Sequence, residues 1–567
     1  MSKKPTSNIV ELSERKKSPS SQTFTHPSGK EYKLPAGFEV YHGQLYMLVE
    51  KGKGEEKEVV PTVLCRQVPV VTRSFSNIER SQLYYELSWT DEGRLYEEVI
   101  PAGHLATRKD LVTLADYSLA VNDINVRDLI GFLDKVIMLN DIPRNKMVER
   151  LGHVSNGFVH PLHAQGVNIL PADGGEQQML EAFDSKGTVS GWIDGILKPI
   201  EEHPKALLML LASFASVLLK DLNLGPFVID LSGATSKGKT TVLKAAATVW
   251  GTDHLVSEWN GTAVSFERKA AFLNSFPLML DDSMKADEKQ LQRFVYNFSG
   301  GRSKGRGSVT GSQREFTWNN LMLSTGEIPL TEYAERAGGA AARILPVKGL
   351  PFKDADYLFF ESLYEAMEEN YGEIGLEFIK HWEQRKDELL PRYKEFNKLF
   401  QGKSRGNEVV SRIARHYAAV YFAGVLVMEF FDAPIDLGWL EVLFTEIMED
   451  NKAVDKPMQM LEAVLTDLDS SRESIAIDNR VFHDLKAIYK DQTLYLLPSY
   501  LKEFLKTEQS SIRSEWLRRE ITISGLEKGK KTDSRTLRHK GSVHRVVAIH
   551  PHVVEELGFD FTVNNHV

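Results

Sequence analysis

The 567-residue chain has a single cysteine, Cys65. One thiol excludes a disulfide framework and a multi-cysteine zinc site, and it suits a reducing compartment, the cytoplasm. A basic excess is also missing. The 69 Lys and Arg residues face 78 Asp and Glu, a net charge of −9, so any nucleic-acid site must be a local patch or be built by assembly. The opening Met1-Ser-Lys-Lys-Pro-Thr6 has no apolar stretch, and no signal peptide is expected. Apolar runs are few. Ala206–Leu219 is too short to span a bilayer, and Val409–Phe431 carries Arg412, Arg415, His416 and Glu429. Both read as buried helices, with no membrane partner. His153, His160 and His163 cluster loosely, but no cysteine or acidic partner completes a metal site around them. No internal repeat is visible.

What is present reads as several domains of ordinary globular composition, with 42% hydrophobic and 26% charged residues. Residues 1–30 are rich in Ser, Lys, Pro and Thr without apolar period and are expected to be a disordered tail. Residues 31–190 form a mixed, β-rich N-terminal domain. Its strands are predicted at Phe38–Val40, Leu45–Val49, Val68–Val71, Leu83–Leu87 and Leu95–Ile100, with a helix over Val126–Met138. Over 191–352, apolar strands at Phe227–Leu231, Pro277–Leu280, Asn320–Ser324 and Arg343–Val347 alternate with helices, which predicts an α/β domain with a mainly parallel sheet. Residues 353–455 read as long helices, and 456–567 as a compact mixed domain.

The clearest motif is Gly233-Ala234-Thr235-Ser236-Lys237-Gly238-Lys239-Thr240, followed by Thr241. It fits G-x-x-x-x-G-K-[ST] between an apolar strand and a helix, the pattern of a phosphate-binding loop. The glycines let backbone N–H groups turn toward phosphate oxygens, Lys239 brings charge to the β- and γ-phosphates, and the Thr240 hydroxyl can ligate Mg²⁺. ATP and Mg²⁺ are the expected ligands, bound by the whole stretch from Gly233 to Thr241. About forty residues on, Pro277-Leu-Met-Leu-Asp281-Asp282 is an apolar strand that ends in two carboxylates. Asp281 is the candidate Mg²⁺ ligand with Thr240, and Asp282 the candidate base that polarises water. The next strand ends in Ser324 and Thr325, candidates to sense the γ-phosphate, with Thr325 preferred. Arg343 leads into the last strand and, with Arg336 as the other candidate, could reach a neighbouring subunit's γ-phosphate.

Taken in order, the phosphate loop, Leu280-Asp-Asp282, Ser324-Thr325 and Ala342-Arg-Ile344 resemble an AAA+ ATPase of the hexameric helicase kind, with the Asp-Asp pair similar to superfamily 3 helicases. Trp259-Asn-Gly-Thr262, the Gly300–Gly311 loop and Ser324-Thr-Gly-Glu327 look like the MCM-like cassette-chromosome helicases of staphylococcal mobile elements. The resemblance covers about residues 30–450. It implies an AAA+ core, a helical lid and a hexameric ring that unwinds DNA during element replication, alongside other replication proteins of that element. Asp282 departs from the Glu found in many AAA+ proteins, and being one methylene shorter it makes the base role less certain.

Two basic regions are candidate DNA contacts. Arg302, Lys304 and Arg306 lie in the glycine-rich Gly300–Gly311 segment, where a pore hairpin would stand in related helicases. Lys528, Lys530, Lys531 and Arg535 lie between a helix near Ser511–Glu520 and a strand at Val546–Ile549, a layout that suggests a winged helix. Such contacts go to phosphates and weaken with salt. Arg412 and Arg415 are candidates for a lid arginine that touches nucleotide. The function read from these parts is an ATP-dependent DNA helicase acting on single-stranded and forked DNA. The rivals are an ATP-switched origin-binding initiator that does not unwind, and a metabolic P-loop enzyme indifferent to DNA.

Overall fold

The centre of the molecule is a five-stranded parallel sheet. Its strands are β1 (Phe227–Ser232), β2 (Val256–Glu258), β3 (Leu278–Asp281), β4 (Leu321–Gly326) and β5 (Ile344–Lys348). Their spatial order is β2-β3-β4-β1-β5. Every residue of β1 and β4 is buried, which is why both read as mostly apolar stretches rather than as alternation: helices cover both faces of a parallel sheet. The register pairs Phe227 with Leu321 and Val228 with Ile344. All five strands therefore point the same way, and the loops that follow β1, β3 and β4 emerge together at one end.

The helix over Pro204–Leu218 is the main filler of the core, buried from Ala206 through Leu218. It is apolar all round because it lies inside. It opens directly after His203, where Pro204 takes the first helical position. Long helices at Glu373–Gly402 and Glu408–Phe431 pack onto the same hydrophobic core as the sheet, and Leu151, Met179 and Phe183 from the N-terminal side join it.

The computed structural model describes residues 23–561 except 53–56, 156, 165, 235–237, 306, 309–310, 313–314, 335–342, 404–407, 452–455, 478–483, 528–529 and 540. The expected tail over 1–22 lies outside the described residues. The rest of that tail is corrected: Thr23–Thr25 pairs with Glu31–Lys33, and His26 is buried with Nε2 3.0 Å from Ser88 Oγ. A three-residue strand is too short to show a period in the sequence. The N-terminal region carries a three-stranded sheet (Phe38–Tyr41, Gln44–Lys51, Glu58–Cys65). A five-stranded mixed sheet runs beside it, through Val70–Asn77, Leu83–Asp91, Arg94–Pro101, Arg144–Val148 and Val167–Ile169. The helix Val126–Leu139 seals their shared core. The C-terminal region has its own core, built on helices Lys456–Ser470, Pro498–Leu505 and Gln509–Arg518 and a five-stranded sheet ending in the hairpin Ser534–His539/Ser542–Ile549. Among the described residues no helix is long and apolar enough to cross a membrane.

One close approach fixes the long helix on the core. A Cβ on Gly375 would stand 2.2 Å from Val249 O and 2.6 Å from the Trp250 ring, whereas one on Gly402, at the other end of the same helix, would meet nothing within 4 Å. Gly375→Ala should therefore cost about 1–3 kcal/mol by overpacking, while Gly402→Ala should be neutral or stabilise by up to about 1 kcal/mol through helix propensity. Urea midpoints of the two variants measure the difference; equal midpoints would refute the close packing at Gly375.

Candidate nucleotide site

The site grows from the carboxyl ends of β1, β3 and β4, where an open parallel sheet leaves its crevice. Gly238 takes φ +84° and caps the helix Lys239–Ala247, and a Cβ there would meet Phe352 at 2.6 Å, so the turn into the helix admits only glycine. Gly233 is also tightly placed, though less so: an added Cβ would lie 3.1 Å from Gly349 O. The Lys239 ammonium donates to Gly233 O at 2.8 Å and Ala234 O at 2.7 Å, folding its charge back over the start of the loop. Thr235, Ser236 and Lys237 lie outside the described residues.

Asp281 is the hub. Thr240 Oγ1 donates to Asp281 Oδ2 at 2.8 Å, and the Thr325 hydroxyl donates to Asp281 Oδ1. Thr325 Oγ1 also accepts the Asp282 N–H at 3.2 Å. Residues from three strand ends thus converge on one carboxylate, and Thr240 with Asp281 offers the hard oxygen pair that Mg²⁺ prefers. Asp282 sits at φ +62°, an uncommon conformation for a non-glycine residue, and its half-exposed carboxylate has Lys285 Nζ 3.6 Å away. Strain of this kind is typical of functional positions. Gly326 must be small, because a Cβ there would fall 2.0 Å from Ser283 Oγ.

The Thr241 hydroxyl is 2.8 Å from Tyr364 OH, on helix Tyr357–Glu369, and is turned into the protein, which leaves its backbone N–H as the group that could face a ligand. Thr240 and Asp281 line a cavity of about 390 Å³ together with Lys244 and Lys269. Past Gly349 a second cavity of about 570 Å³ is lined by His203, Lys205, Leu350, Pro351, Trp439 and Val442, a size and mixed lining suited to a small organic ligand.

Arg343 stands elsewhere. It precedes β5, whose Ile344 is level with Val228 at the start of β1. The phosphate loop follows the far end of β1, roughly 17 Å away at strand rise. Arg343 therefore cannot serve its own chain's loop. Arg412 and Arg415 are at the same pole: with Arg343 they surround His416, which stacks on Phe227 with ring centroids 4.2 Å apart. Burial first, then the charges of Arg415, Arg343 and Arg412, hold His416 down to about 3, so it is neutral. Among the described residues no carboxylate pairs with any of these three guanidinium groups. Arg336 lies outside the described residues.

The glycine-rich segment is a short hairpin, Gly307–Ser308 against Gly311–Ser312, leaving the sheet at the amino end of β4. Arg302 is well exposed, 3.9 Å from Glu315, and Lys304 is exposed; Arg306 is outside the described residues. In the C-terminal region Lys531 and Arg535 are exposed, Lys530 lies on the strand Lys530–Thr532, and Lys528 is outside the described residues. Arg513 anchors that region to the helix Gln509–Arg518 by an ion pair with Asp533.

One site residue escaped sequence reasoning. Asp230, in the middle of β1, is fully buried; its Oδ2 accepts the Leu330 N–H at 2.8 Å, and its side chain lies beside the Ser324 hydroxyl, which accepts from Trp259 Nε1 at 3.1 Å. A carboxylate in a strand buried on both faces was the available signal. Burial pushes Asp230 up to about 7. The native chain thus keeps this proton up to about pH 7, while the unfolded chain releases it near pH 4. Between those values the unfolded state binds fewer protons, and Asp230 lowers stability by about 1.4 kcal/mol per pH unit as pH rises. Asp230→Asn should remove that slope, so the variant gains on the parent from pH 5 to pH 8. Parallel stability curves in denaturant titrations would contradict a neutral Asp230.

A family described as a domain of unknown function, DUF927, matches residues 38–318, from the first N-terminal sheet to the threshold of β4. No curated protein matches the chain. A solved structure titled "SCCmec type IV Cch - active helicase" is similar over 93% of this chain and 99% of its own, at 15% identity and a TM-score of 0.67. That likeness is one of fold along nearly the whole length. A second structure, titled "The A form apo structure of NrS-1 C terminal region-CTR", aligns over 84% of this chain and 96% of its own at 9% identity and a TM-score of 0.30, too distant to support an argument.

Proposed function

We propose that the chain is an ATP-driven DNA helicase whose ATPase sites form between copies arranged in a ring. The observation that carries this reading is the separation of the two halves of the site. Lys239, Thr240, Asp281 and Thr325 meet at one end of the sheet, and Arg343, Arg412 and Arg415 gather at the other, with no carboxylate paired to them among the described residues. Head-to-tail packing brings the second pole of one copy to the first pole of the next, and such contacts close into rings. The fold shared with an active helicase supports the choice of motor over metabolic enzyme.

In this reading the loop N–H groups and Lys239 cradle the phosphates of ATP, and the larger cavity beyond Gly349 takes the nucleoside. Thr240 and Asp281 would hold Mg²⁺, which when bound offsets negative charge on the phosphates. Asp282 orients and deprotonates water, its peptide fixed by Thr325. The neighbour's Arg343 stabilises charge developing in transfer. Arg302 and Lys304, with Arg306, grip DNA phosphates in the channel, so a chain of net negative charge still presents a basic pore. Lys531 and Arg535, with Lys528 and Lys530, supply a second contact on the C-terminal region, the proposed winged-helix-like unit. The mobile-element setting and the AAA+ and MCM-like affiliation belong to this proposal as well.

Lys239→Ala and Arg343→Ala should each lower DNA-stimulated ATPase and forked-DNA strand displacement by roughly 100-fold or more. Mixed before ATP is added, the two inactive variants should recover about a quarter of wild-type ATPase, because random neighbours pair an intact Lys239 with an intact Arg343 at one interface in four. A mixture no more active than its parts, with a monomeric mass in ATP, would end the shared-site reading. Wild-type ATPase without strand displacement would favour the initiator.

A further inference from the structure

Far from the nucleotide, three side chains distant in sequence meet where the N-terminal region touches the core. His153 lies on the hairpin Gly152–Val154/Gly157–Val159, Asp221 follows the helix Pro204–Leu218, and Glu383 is on the helix Glu373–Gly402. Their ligating atoms all lie within 4.8 Å of one another. The expectation that no acidic partner stands by these histidines is thereby overturned; the partners come from 68 and 230 residues further along the chain (221 − 153 and 383 − 153).

The place is built rather than accidental. Gly152 takes φ +70°, and a Cβ there would collide with Ser275 at 2.5 Å, so glycine alone lets the hairpin seat. Asn274 Nδ2 donates to His153 O at 2.7 Å, and the His153 N–H donates to Ser275 Oγ at 3.0 Å. The imidazole is 9% exposed, with Nδ1 3.2 Å from the same Ser275 Oγ and Nε2 aimed at the carboxylates without a hydrogen-bond partner of its own. When Nδ1–H donates to Ser275, Nε2 turns a lone pair toward two anions, an arrangement that a metal cation between them relieves, as does a proton on Nε2 shared with Asp221. Asp221 Oδ2 already accepts Trp382 Nε1–H at 2.9 Å, the kind of outer hydrogen bond that orients a ligating carboxylate. His153 Nε2 and Asp221 Oδ2 are 3.4 Å apart, the edge of a tetrahedron with metal–ligand bonds of about 2.0–2.1 Å. Lys386 Nζ holds Glu383 at 3.1 Å and is the one cation facing the cluster among the described residues. Glu383 is half exposed and must swing from Lys386 to close the set.

We propose that His153, Asp221 and Glu383 form a structural site for a divalent transition metal of the zinc class, with water as the fourth ligand, clamping the N-terminal hairpin to two helices of the core. One imidazole and two carboxylates suit zinc better than magnesium, which demands an octahedron of oxygens. The site stands apart from the nucleotide reading and does not depend on it.

The test uses the full chain stripped with chelator and titrated with ZnCl₂ by calorimetry, with MgCl₂ as a second arm. X-ray absorption of the loaded protein should show one imidazole nitrogen among oxygen ligands. Wild type should take up one zinc that raises its melting temperature. His153→Ala should take up none at this site, and Glu383→Gln, changed on an exposed helix face so that the fold is kept, should bind at least tenfold more weakly. Zinc bound equally by all three proteins, an absorption spectrum without nitrogen, or no uptake by wild type would each overturn the proposal.

Discussion

Asp281 holds two hydroxyls, one from the helix after the loop and one from the end of β4, and much of the site's geometry depends on that. A carboxylate between Thr240 and Thr325 fixes the first turn of the helix after the loop, the end of β3 and the end of β4 relative to one another. Charge-assisted hydrogen bonds of this type are about twice as strong as neutral ones. Asp282 inherits its position from the same bond set, since Thr325 Oγ1 accepts its N–H. A change in what Asp281 binds is therefore felt at the peptide of Asp282 without passing through the sheet.

The second constraint is the register of the sheet. Because β4 lies between β3 and β1, the hydroxyl-ended strand stands between the acidic strand and the phosphate loop strand. Asp230 stitches the same pair from inside: it reaches from β1 toward Ser324 on β4 and also holds the Leu330 N–H, at the start of the segment that leads toward Arg343. A buried neutral carboxyl is a costly element in a core. Here it ties β1 to Ser324 on β4 and to the backbone at Leu330, contacts that a hydrophobic residue of equal volume lacks.

How much of this was legible in the sequence follows from how local each signal is. The phosphate loop is eight consecutive residues between a strand and a helix, and the structure forms that strand and that helix at Phe227–Ser232 and Lys239–Ala247. The parallel sheet was legible because its strands are buried on both faces and so appear as short apolar runs. What was illegible is long-range. Nothing near His153 announces Asp221 or Glu383, and nothing near Thr241 announces Tyr364. Arg412 and Arg415 showed as charges on an apolar helix, but the pole they face depends on where His416 stacks, on Phe227. The hairpin over 23–33 was lost for the opposite reason: its two strands are so short that a polar composition hides them.

The two poles constrain what any motor of this fold can do. β1 joins them, with His416 against its first residue and the phosphate loop beyond its last. It is buried throughout and hydrogen-bonded on both sides, to β4 and to β5. A strand so held is a rigid strut, not a hinge; close-packed interiors shift between discrete arrangements rather than bend. Events at the loop cannot reach the arginine pole of the same chain by deforming β1. If both poles act on one nucleotide, the compliant element is the boundary between copies. In the proposed ring, hydrolysis would then rotate one rigid core against the next, and the hairpin after Ser299, attached at the amino end of β4, would be carried with its core.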